Sequence, residues 1–85
     1  MAFGKTFTGK ITTLFTVPDG MTKIDMVNRG NTDGKFKGSV TTLNGIQSDF
    51  VTLAKGESFS FNEHPEGYNG IQIDGTGTII EVVIQ

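Results

Sequence analysis

The chain has 85 residues, twelve of them glycine, with seven basic and nine acidic side chains and a net charge of −2. A single domain of this size buries only a little over ~60% of the surface its unfolded chain exposes, so association is a natural route to further stability. There is no cysteine, and histidine occurs once, at His64; this excludes disulfide staples, thiolate metal sites and multi-histidine centres. The slight acidity gives no reason for broad capture of nucleic acid. No run approaches the ~18 apolar residues of a membrane span. Met1-Ala2-Phe3-Gly4-Lys5 lacks the apolar core of a secretion signal, so a soluble protein made without one is expected.

Taken in order, residues 3–9 alternate weakly around Phe3 and Phe7, which predicts an edge strand or an N-terminal arm over residues 1–9 that reaches a neighbour. Lys10 to Val17 predicts one strand, with Ile11, Thr13, Phe15 and Val17 on one face. Pro18-Asp19-Gly20 supplies turn chemistry, and Thr22 to Asn28 is a second strand with Ile24 and Met26 on one side. Asn28 to Gly34 is a polar loop with no apolar anchor. Lys35 to Leu43 resumes β character, with Phe36 and Val40 inward. Asn44-Gly45 is the strongest hairpin signal, because both residues tolerate the positive φ of a type I′ turn; Ile46 to Leu53 is the return strand. Ala54 to Glu57 turns, Ser58 to Phe61 places Phe59 and Phe61 on one face, and Asn62 to Asn69 is the longest polar loop.

The last stretch, Gly70 to Gln85, is the most apolar and most β-branched. Ile71/Ile73 and Ile79 to Ile84, separated by Asp74-Gly75-Thr76-Gly77-Thr78, predict a terminal hairpin. Its second strand is apolar on both faces: Ile80, Val82 and Ile84 on one, Ile79 and Val83 on the other around Glu81. The first face is read as core, and the second as either the other sandwich layer or a subunit seam. No helical period of useful length occurs. Seven or eight short strands with frequent turns predict one all-β domain over residues 1–85, a small antiparallel β-sandwich or jelly-roll-like barrel.

The chemistry-bearing residues do not form a reaction centre. As a calcium loop, Asn28 to Gly34 puts Arg29 and Val40 where carboxylates belong. As a phosphate loop, Gly30 to Lys35 is one residue short between its glycines and has Phe36 where Ser or Thr should hold magnesium. Glu63, His64 and Glu66 could share a proton, yet no nucleophile accompanies them. The expectation is therefore a non-enzymatic protein with no cofactor, no metal and no catalytic residue. Arg29, Lys35 and Lys37 form a modest basic patch, as an OB-type nucleic-acid binder would need. Core packing is the better account of Phe15, Phe50, Phe59 and Phe61. Tyr68, beside Asn62, Glu63 and Asn69, suits a small glycan site or, equally, a tyrosine that covers the end of the sandwich.

The segment Phe15-Thr16-Val17-Pro18-Asp19-Gly20-Met21-Thr22-Lys23-Ile24-Asp25-Met26-Val27 resembles small β-sandwich modules of bacteriophage virions. These occur in tail fibres, head fibres and capsid decoration proteins. Gly67 to Thr78 resembles the closing strands of such modules. The resemblance implies a role in virion architecture and carries over no catalytic residue.

The leading expectation is a phage decoration (cement) protein, located in the virion and soluble in the host cytoplasm before assembly. It would form a homo-oligomer, with a trimer favoured, and clamp the major capsid protein in assembled shells. Phe3, Phe7, Ile79 and Val83 are expected at subunit contacts; Arg29, Asn31, Lys35, Lys37, Glu63 and Tyr68 are expected to face the partner. The alternative is a fibre module that binds a receptor or glycan through the Tyr68 loop. Nucleic-acid binding ranks third, and no membrane partner is expected.

Overall fold

The computed structural model describes residues 6–38, 42–43, 46–47 and 49–85. Its strands are β1 (Phe7–Ile11), β2 (Leu14–Thr16), β3 (Ile24–Asn28), β4 (Gly34–Lys37), β5 (Thr42–Leu43), β6 (Ile46–Gln47), β7 (Val51–Leu53), β8 (Ser58–Phe61), β9 (Gln72–Asp74) and β10 (Ile80–Ile84). Eight of them form two four-stranded antiparallel sheets, ordered β1-β10-β3-β8 and β2-β9-β4-β7. The expected all-β sandwich is therefore what the chain forms.

The pairing has a simple logic. β4 pairs with β7, β3 with β8, β2 with β9 and β1 with β10. The chain is one long antiparallel hairpin, and every connection outside the β4–β7 segment crosses from one sheet to the other. That is the rolled double Greek key of a jelly roll. The short β5–β6 pair lies at the hairpin's tip, with Leu43 opposite Ile46. Asn44 and Gly45, which carry the hairpin signal, fall outside the described residues, as do Phe3 and Val40.

The core lies between the two sheets. Ile24 and Met26 of β3 and Ile80, Val82 and Ile84 of β10 meet Phe36 of β4, Leu53 of β7 and Ile73 of β9, with Ile11, Val17 and Ile71 closing the ends. β3 and β10 contribute alternate residues, as half-buried strands should. At ~25 cal/mol per Å² of apolar area removed from water, these isoleucines and valines are the main source of stability.

Besides the return strand Ile46 to Leu53, which divides into β6 and β7 in different sheets, three local expectations are overturned. First, Lys10 to Val17 is not one strand: it bends at Thr12-Thr13, so that β1 belongs to one sheet and β2 to the other. The inward alternation Ile11, Phe15, Val17 survives the bend because both sheets face the same core. No glycine or proline marks the break. Second, the terminal hairpin does not exist. Its turn forms, with the Thr78 amide donating to the Gly75 carbonyl at 2.9 Å, but β9 and β10 lie in different sheets. The chain can cross there because Gly75 has no side chain: a Cβ would stand 2.1 Å from the Ile11 carbonyl oxygen. Third, Phe50 is not core. It sits half-buried under the ammonium groups of Lys35 and Lys37, at 4.9 and 5.0 Å from the ring centroid. Those two lysines flank the inward Phe36 and so project from the outer face. Phe15 and Phe59 point inward but at open edges, and both remain exposed.

The polar loop after β3 has a polar anchor, Asn28. The alternation Ile24, Met26, Asn28 turns this side chain inward, where it is 1% exposed. Its Nδ2 donates to the carbonyls of Thr32 (2.8 Å) and Leu53 (2.9 Å). Its Oδ1 accepts from the Gly30 amide (3.0 Å) and the Thr78 hydroxyl (2.7 Å). All four hydrogen-bonding positions of the amide are used, which ties Gly30 and Thr32 to Leu53 and Thr78.

Candidate functional site

The fold sorts the expected site residues that are described onto an end, an edge or an outer face. On the outer face of the β1-β10-β3-β8 sheet, Glu81 lies between Lys10 and Val27, and Val83 between Thr8 and Asp25. Ile79 continues the same alternation, so Ile79 and Val83, each 37% exposed, look outward. They are not a second sandwich layer. A shallow depression of about 220 Å³ runs past Asp25, Val27, Ser60, Glu81 and Val83. Its apolar floor has a polar rim: the Ser60 hydroxyl donates to Asp25 at 2.6 Å, and Arg29 lies 3.7 Å from Glu81.

The outer face of the other sheet is a polar grid. One row is Leu14, Asp74, Lys35 and Thr52, by direct register. The next row has Thr16, Gln72 and Lys37, beside Phe50. Lys35 lies 3.9 Å from Asp74. The Asp74 carboxylate accepts from the Thr76 hydroxyl (2.6 Å) and amide (2.9 Å). Those bonds, with a smaller contribution from the Lys35 charge, hold its pKa below the ordinary value of 3.8.

Arg29 thus serves one outer face, and Lys35 and Lys37 the other. The basic patch legible in the sequence is divided across the molecule, and Arg29 and Lys35 each have a carboxylate partner. Asn31 is exposed at the end held by Asn28. Glu63 and Tyr68 are at the opposite end, because Tyr68 bridges to Met21 and the Gly20 amide donates to the Tyr68 carbonyl. The Tyr68 hydroxyl donates to the Asn62 carbonyl. Its ring meets Phe61 edge-on at 5.4 Å and His64 at 5.2 Å. Half-buried in this way, it covers the end of the core. Among the described residues no three His, Cys, Asp or Glu side chains are grouped so that they could hold a metal. No described helix is long and apolar enough to cross a membrane.

The remaining feature is the edge where β1 and β2 lie side by side. Phe7, opposite Ile84, points toward the core yet is 49% exposed, and Phe15 is exposed beside it. Between the sheets at this edge is a groove of about 280 Å³, lined by Phe7, Gly9, Ile11, Phe15, Val82 and Ile84. A Cβ built on Gly9 would have nothing within 4 Å. Sequence reading named Phe7 here but missed the groove, since the bend that creates it leaves no local signal. The chain matches no protein-family model and no curated protein.

Proposed function

We propose that this is a non-enzymatic structural protein of a bacteriophage virion, a decoration protein that self-associates and binds the major capsid protein in assembled shells. The observation that carries the proposal is the imbalance of its apolar surface. Among the described residues, seven large apolar side chains stay exposed against eleven buried ones. In so small a domain, exposed apolar groups clustered on edges and faces mark association surfaces.

Subunit contact is assigned to Ile79, Val83, Phe7 and Phe3, in a homo-oligomer for which a trimer is the favoured count. Contact with the capsid is assigned to the Lys35, Lys37 and Phe50 face together with Asn31 at the adjoining end; Arg29, paired with Glu81 on the other outer face, falls outside it. Glu63 and Tyr68, at the far end, fall outside that surface, and the Tyr68 hydroxyl is already engaged. The jelly roll serves capsid and lectin domains alike, so fold supports the class only by analogy. The resemblance of Phe15 to Val27 to virion modules points the same way. Location in the virion, after solution in the host cytoplasm, follows from the reading.

Co-sedimentation tests it. The purified protein is mixed with assembled shells of the encoding virus and, separately, with their free subunits. Binding to shells and not to free subunits is expected; no binding to shells overturns the assignment.

A further inference from the structure

We infer that the groove between β1 and β2 receives the N-terminal segment, residues 1–5, of a neighbouring copy, with Phe3 seated over Gly9. The inference deepens the self-association half of the reading above and does not depend on the identity of the shell.

Four observations converge on this. The groove is apolar and of the right size: cavities of ~150 Å³ accept benzene, and this one is about 280 Å³. Gly9 leaves a notch between the inward side chains of Phe7 and Ile11, with nothing within 4 Å of where its Cβ would stand. β1 is an edge strand, so one side of its backbone is available to an added strand. Finally, the stretch that leads into β1 carries an apolar aromatic side chain, Phe3. Residues 1–5 span roughly 16 Å when extended. In sequence, Phe3 is separated from Phe7, Gly9 and Ile11 by even intervals.

Through the tightest turn, the arm's own groove is a poorer acceptor. Folding back through Gly4-Lys5, the residue pair suited to a two-residue turn, would set Phe3 opposite Thr6. That is the parity of Thr8 and Lys10, which face outward, so only Ala2 would reach the groove. An arm that continues the line of β1 needs no reversal. Passed from each copy to the next, such arms close a ring.

The cysteine-free sequence makes the test direct. A Phe3→Cys chain is mixed with a Gly9→Cys chain under mild oxidation, and a Thr8→Cys chain serves as the outward-facing control. Covalent pairing with Gly9→Cys on the order of tenfold faster than with Thr8→Cys is expected, from the higher effective concentration of a docked thiol. Equal rates overturn the inference. So does a Phe3→Cys/Gly9→Cys double variant that closes only within single chains. Circular dichroism establishes that each variant is folded, as the free space at Gly9 predicts. Failure of the cross-link with shell binding intact removes only the arm. A selective cross-link without shell binding removes only the decoration role.

Discussion

The end of the sandwich held by Asn28 and the edge formed by β1 and β2 are built on opposite terms. At the Asn28 end the chain is in close contact with itself: four hydrogen bonds converge on one buried amide, and a Cβ on Gly30 or Gly75 would collide with neighbouring atoms. At the β1/β2 edge, inward-pointing phenylalanines remain exposed, and a Cβ on Gly9 would meet nothing. The same residue type thus marks a place where the fold has no room and a place where it has room to spare. Close packing within a protein leaves little to gain from added volume; an unfilled apolar edge has much to gain from a partner.

The contrast can be broken most severely at Asn28. Asn28→Ala should leave two carbonyls, one amide and one hydroxyl without their partner, at a cost of about 3 kcal/mol or more, read as a lower midpoint in urea unfolding. A glycine pair sharpens it next. Gly75→Ala should destabilise by about 2 kcal/mol, because the Ile11 backbone must move. Gly9→Ala should stay within about 0.5 kcal/mol of the parent. Equal effects from the two would mean that Gly9 is packed as closely as Gly75.

On the outer face, Val83→Lys faces Asp25 across the strand pair, so opposite charges meet. Its stability should change by no more than about 0.5 kcal/mol, while sedimentation shows weaker self-association. Loss of folding would mean that Val83 is core after all. The smallest effect belongs to Asp74. Its folded pKa is lowered by the Thr76 bonds, so its contribution is present above the ordinary carboxylate value and is lost as pH falls through the lowered one. Asp74→Asn should remove that part of the acid limb; an unchanged pH dependence of unfolding would contradict the assignment.

Much of this fold is legible in sequence where information is local. Ile24/Met26 and Phe59/Phe61 alternate as half-buried strands, and Asp19-Gly20 and Lys55-Gly56 turn where their chemistry says they should. What sequence does not show is which strands meet. Asp74 to Thr78 reads equally well as a hairpin turn and as a crossing between layers; the contact of Gly75 with the Ile11 carbonyl, a residue far away in sequence, decides between them. The bend at Thr12-Thr13 is hidden for the same reason, since the inward alternation continues through it. Asn28 was within reach: an asparagine continuing the inward pattern of Ile24 and Met26 is a polar group placed in the core, and such a group needs partners. The division of Arg29 from Lys35 and Lys37 follows from the sheet to which each strand belongs, which their nearness in sequence conceals.

Sedimentation velocity on the purified chain over a wide concentration range tests the central claim most directly. The exposed apolar edge and face predict one discrete oligomer that persists on dilution and is reduced to folded monomer by removing residues 2–5 or by Val83→Lys. A stable, monodisperse monomer at every concentration would contradict the account, because the Phe7/Phe15 edge and the Ile79/Val83 face would then be ordinary solvent-exposed surface.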